Sequence, residues 1–85
     1  MPVQFSQHAL EKMRRRSVNT ADVYATLESP DEVYKDVEHE TMVAFRKINA
    51  KSIILVYKME AEIVKIITLY YTTKLDLIDS LMPKW

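Results

Sequence analysis

Thr41-Met-Val-Ala-Phe-Arg-Lys-Ile48, Ser52-Ile-Ile-Leu-Val-Tyr-Lys-Met59 and Ile63-Val-Lys-Ile-Ile-Thr-Leu-Tyr-Tyr-Thr-Thr73 follow one another almost without pause. Each run is rich in Ile, Val, Leu and Tyr, and the breaks between them, Asn49-Ala50-Lys51 and Glu60-Ala61-Glu62, are short and polar. That is the pattern of successive strands joined by tight turns. Upstream, Asp31 to Val37 reads as a further strand with Val33 and Tyr34 as its apolar content, and Glu38-His39-Glu40 as a turn. Ser29-Pro30 marks where the period changes, because a residue before proline is pushed out of the helical region.

On the N-terminal side of that proline the spacing is helical. Phe5-Ser-Gln-His-Ala-Leu-Glu-Lys-Met-Arg-Arg-Arg16 has Ser6 as its predicted N-cap, with Ala9, Leu10 and Met13 at helical intervals. Ser17-Val18-Asn19 forms a link, Thr20 is the predicted cap of a second helix over Ala21 to Leu27, and Val23 and Leu27 are its i, i+4 apolar pair. Beyond the strands, Asp76 to Met82 reads as a short helical tail whose apolar side is Leu77, Ile78, Leu81 and Met82. Helices followed by strands predict an α+β fold: two N-terminal helices on one face of a four-stranded antiparallel sheet, as one domain over residues 1–85. The third and fourth strands are apolar on both faces. Two short helices cover one face, so the tail or another chain, as in a homodimer, is expected on the other.

Composition narrows the chemistry. The 85 residues contain no cysteine and no glycine. The first absence removes disulfides and thiolate chemistry and is compatible with a reducing compartment. The second removes the glycine-rich loops that let a backbone approach phosphates closely. No run is long and apolar enough for a membrane span, and the first residues lack the pattern of a signal peptide, so a cytoplasmic protein without membrane partners is expected. Net charge is zero but unevenly spread: residues 28–40 carry six acidic side chains against one basic, whereas residues 1–27 carry four basic against two acidic. Such a dipolar chain accommodates a nucleic-acid face without the strongly basic balance of a dedicated binder.

The segment His8-Ala9-x-x-Lys12-Met13-x-x-Arg16-x-Val18 resembles the opening signature of a RelE-like family catalogued as domain of unknown function 4258. Asp22-Val23, Leu27-x-x-Pro30-Asp31-Glu32-Val33, Phe45-Arg46 and Ile67-Thr68-x-Tyr70-x-Thr72 continue the resemblance over roughly residues 5–74. Lys12 stands where the family usually has arginine, which replaces a bidentate fork by a point charge. Ser17 stands where it usually has the glycine that ends the first helix. The resemblance implies the fold of RelE-type toxins and other small ribonucleases, which cleave RNA without metal and which are in many cases held inactive by an antitoxin. Fold alone does not imply function.

RNA cleavage of that kind needs an acid–base group and groups that stabilise charge on phosphorus. His8, Lys12 and Arg15 stack along one edge of the first helix, so an imidazole able to move protons lines up with phosphate-binding cations. The expected catalytic set is His8, Arg46, Thr68 and Tyr70, with Lys12, Arg15, Arg16, Thr72 and Lys74 holding phosphate or RNA. Thr68, Tyr70 and Thr72 share a strand face by the period-two rule. Expected partners are RNA or the ribosome, an antitoxin-like protein, or a second copy, with no cofactor and no metal.

Quieter readings stand beside these. A histidine flanking an apolar helix face is commonly a structural hydrogen-bonding residue, and cations in a last helical turn complement the macrodipole. The Arg16 stem covers core surface while its head reaches solvent. Arg46 places a charge in the row of Ala44 and Ile48, and either pairs with a carboxylate of the acidic segment or faces a site. His39 lies between Glu38 and Glu40, but neighbours in a turn do not converge on one ion. Trp85 either docks the tail or marks a contact surface. The competing reading of the whole chain is a non-enzymatic homodimeric or adaptor domain that keeps the fold without catalysis.

Overall fold

The computed structural model describes residues 2–73. In chain order it contains β1 (Val3–Phe5), α1 (Gln7–Arg15), α2 (Thr20–Glu28), β2 (Glu32–Asp36), β3 (Thr41–Ile48), β4 (Lys51–Glu60) and β5 (Ile63–Thr72). The fold is α+β, and the meander β2-β3-β4-β5 is antiparallel throughout. The expected four-stranded antiparallel sheet needs one correction. β1 adds to β5 in parallel, Val3 opposite Val64 and Phe5 opposite Ile66, so the sheet is mixed and five-stranded, in the order β1-β5-β4-β3-β2. Three residues are too few for alternation to declare a strand. The predicted tail, Asp76 to Met82, together with Lys74 and Trp85, lies outside the described residues.

Helix boundaries follow local chemistry. Ser6 caps α1 as expected, accepting the Ala9 N–H at 3.0 Å. The cap of α2 is Asn19 rather than Thr20, because the Asn19 side-chain oxygen accepts the Ala21 N–H at 2.9 Å and Thr20 becomes the first helical residue. At the end of α1 the Val18 N–H reaches back to the Met13 carbonyl (2.9 Å) across Ser17, which takes φ 52°. This is a Schellman closure, with serine in the left-handed position that glycine usually fills and a buried valine after it.

Both helices cover one face, α1 over β5 and β1, and α2 over β3 and β4. There Ala9, Val18 and Val23 pack with Ile53, Leu55, Val64, Ile66 and Leu69. Opposite Val56 and Tyr57, β5 carries one extra residue: Val56 faces Thr68 and Tyr57 faces Ile66, leaving Ile67 as a bulge. The bulge lets Val64 and Ile66, before it, and Leu69 and Tyr71, after it, all reach the helix side. The second face has its own apolar cluster. Val43 and Ile54 are 8% and 1% exposed, and Tyr34, Phe45, Val56 and Tyr70 pack against them.

Candidate nucleic-acid interface

The bulge also fixes α1. As β1 ends, the Ser6 N–H donates to the Ile66 carbonyl (2.9 Å) and the Ser6 hydroxyl donates to the Ile67 carbonyl (2.9 Å). One serine therefore caps the helix and ties its start to β5. From there α1 continues along the strand where β1 leaves it, until Arg16 places its guanidinium 5.7 Å from the Tyr70 ring centre. Burial pushes the Tyr70 hydroxyl above its usual pKa, and the Arg16 charge opposes that rise.

At 100° per residue, Arg16, Lys12, His8 and Arg15 occur in that angular order to one side of the Ala9 core line. Lys12 is half-buried, whereas His8, Arg14, Arg15 and Arg16 are exposed. None of these cations is ion-paired to a carboxylate among the described residues. Tyr70 belongs to the second-face cluster, and Thr68 and Thr72 share its row on β5 because all three follow the bulge. The basic flank of α1 and the Thr68-Tyr70-Thr72 row therefore meet at Arg16.

Arg46 lies elsewhere. Its register opposite Ile53 puts it on the helix side of β3, two strands from β5 and on the face away from Tyr70. Its Nη1 donates to the Ser29 carbonyl at 2.6 Å, so its partner is the C-cap residue of α2 rather than a carboxylate. The nearby Asp31 instead accepts the Lys47 N–H at 2.6 Å. His39 pairs with Asp36 at 2.8 Å in the exposed β2–β3 connection. That hydrogen bond raises the His39 pKa and lowers that of Asp36.

The structure adds a cluster that residue spacing did not single out. The Tyr71 hydroxyl donates to the Asp22 carboxylate at 2.5 Å and accepts the Asn19 N–H at 3.1 Å, and the Lys51 ammonium lies 3.8 Å from the Tyr71 ring centre. It pins the α1–α2 link and the start of α2 to the sheet. Two signals pointed to it: Tyr71 has the opposite strand parity to Tyr70, and Asp22 stands in the first turn of α2.

The model of the family described as Domain of unknown function (DUF4258) matches residues 5–71. The chain belongs to this family. The DUF4258 match spans β1's last residue through Tyr71, and so takes in the basic flank of α1, Arg46, Tyr70 and the Tyr71–Asp22 pair. No curated protein and no solved structure matches the chain. Among the described residues no helix of this DUF4258 protein is long and apolar enough to cross a membrane.

Proposed function

We propose that this DUF4258 protein is a RelE-like, RNA-directed protein that grips single-stranded RNA along Arg16, Lys12, His8 and Arg15. The observation that carries the reading is the Arg16 guanidinium over Tyr70, which joins a basic helix flank to a row of hydroxyl-bearing side chains. Cations neutralise phosphates, and an arginine beside an aromatic ring offers a stacking surface to a base. His8 is the acid–base group for cleavage of the gripped strand. A protein with that activity acts as a growth-arresting toxin and is restrained by an antitoxin-like partner. The adaptor or homodimer reading draws on the apolar second face, but the centre of that face, Ile54, is already buried at 1% exposure.

The test is fluorescence anisotropy with a labelled single-stranded RNA at several salt concentrations. Removing the charge of Arg16 or Lys12 is expected to flatten the salt dependence by about 0.7 in log–log slope for each cation lost. Lys35→Ala, on the far edge strand, is expected to leave the slope unchanged. His8→Ala is expected to keep affinity and lose cleavage, measured in the presence of a chelator and as relief of growth arrest on induced expression. An Arg16→Ala or Lys12→Ala protein with wild-type slope, or a wild-type protein without RNA affinity, refutes the proposal.

A further inference from the structure

On the helix side, where α2 ends over the sheet, Val3, Tyr24, Leu27, Glu28, Tyr57, Met59 and Val64 enclose a recess of about 370 Å³. Its walls come from four elements, α2, β1, β4 and β5, so it is a feature of the tertiary fold and not of one surface loop. We infer that this recess binds a small organic ammonium compound, with the apolar body against Leu27, Met59 and Val64 and the cation between Glu28 and the tyrosine rings.

Three observations point to that class. First, the wall is apolar and aromatic, yet Tyr24 and Met59 remain 47% and 43% exposed. A partner that covers them gains the free energy of removing apolar surface from water. Second, among the described residues the recess has a single charged wall residue, Glu28, and this carboxylate has no ion-pair partner. Third, Glu28 is the last residue of α2, whose final turn has no basic side chain, and the Arg46 guanidinium at this helix end donates to the Ser29 carbonyl rather than pairing with Glu28, which leaves the carboxylate to a ligand cation. An aromatic wall with an unpaired carboxylate recognises a cation on a hydrophobic body and disfavours its anionic counterpart. The recess lies apart from the Arg16–Tyr70 contact, and none of its lining residues belongs to the proposed RNA grip, so either reading can fail without the other.

The experiment titrates full-length protein carrying labelled methionine methyls with 2-phenylethylammonium, and in parallel with 2-phenylethanol as the uncharged isostere. The Met59 methyl is expected to shift and saturate with the ammonium compound, and to need about fivefold more of the alcohol. Glu28→Gln, a change at an exposed position, is expected to weaken the ammonium compound about fivefold and leave the alcohol unchanged. Tyr24→Ala, also exposed, is expected to weaken both. Met13 and Met42 report in the same spectra that each variant is folded. Equal binding of the two compounds, insensitivity to Glu28→Gln, or an unmoved Met59 methyl up to about 10 mM would overturn the inference.

Discussion

Replacing Ser17 by glycine should make the protein more stable, and the size of the gain follows from one backbone angle. Ser17 sits at φ 52° between the C-cap Arg16 and the buried Val18. A residue with a Cβ loses about 1–2 kcal/mol in that left-handed well. Glycine removes that strain but brings extra freedom to the unfolded chain, worth roughly 0.5–1 kcal/mol in the other direction. The difference is a net gain of about 0.5–1 kcal/mol. For a domain of this size that corresponds to a rise of roughly 3–6 °C in Tm, and to a urea midpoint higher by about 0.5 M. The Schellman bond from the Val18 N–H to the Met13 carbonyl is unchanged by the substitution, so Arg16 keeps its place over Tyr70 and RNA affinity should not move. Ser17→Ala is the control, since it removes the hydroxyl but retains the Cβ, and it should leave stability near that of wild type. Chemical denaturation monitored by circular dichroism measures all three. A Ser17→Gly protein no more stable than Ser17→Ala would refute the reasoning, because the strain attributed to the Cβ would then be absent.

Tyr71→Phe keeps the ring under the Lys51 ammonium but strips the hydroxyl from Asp22 and Asn19, and is expected to cost about 1–2 kcal/mol in urea unfolding. Combined with Asp22→Ala, which removes the acceptor, in a double-mutant cycle, it should show coupling between the two sites; additive losses would mean that the hydrogen bond contributes nothing. The Asp36–His39 pair gives a pH signature. The raised His39 pKa adds stability that is complete below about pH 6.5 and fades as pH rises through the folded value. The lowered Asp36 pKa adds stability that is complete above about pH 4 and fades as pH falls through the folded value. The pair is exposed, so the expectation is a shallow stability maximum between those limits that disappears in His39→Gln; an unchanged pH profile in that variant would contradict it.

What could be read from the chain divides along physical lines. The hairpins were legible because each strand repeats its apolar residues over enough positions to show a period, and Asn49 in the β3–β4 turn takes φ 58°, a well that asparagine enters readily. Of the other left-handed residues, Ser17 was signalled only by the glycine the family has at that position, and Glu40 and Ala61 were not signalled, since their side chains carry no preference for that well. β1 was invisible because Val3-Gln4-Phe5 is shorter than two periods, and its partner, Val64 to Ile66, is remote in sequence. The bulge at Ile67 was hidden by its neighbour Ile66, which offers the same apolar chemistry. The row of Thr68, Tyr70 and Thr72 survived because it lies wholly on one side of that bulge. The α2 cap was misplaced by one position since Asn19 and Thr20 are adjacent cap formers, and only geometry decides which side chain reaches the free N–H groups. Arg46 was recognised as an unusual charge, but its partner is a main-chain carbonyl, which residue types do not announce.

The serine that fastens α1 to the bulge has a consequence in time. Ser6 and Ile67 are 61 positions apart. The β2-β3-β4 meander forms from near neighbours, but β1 and α1 gain their berth only once β5 is present, so the last long loop to close is the one that carries the basic flank. During synthesis α1 is made before β5 and waits until residues 63–72 have followed it. Until then Arg16 has no Tyr70 to meet. A chain ending before residue 63 therefore carries the cations of α1 without the strand and the ring that Arg16 packs beside.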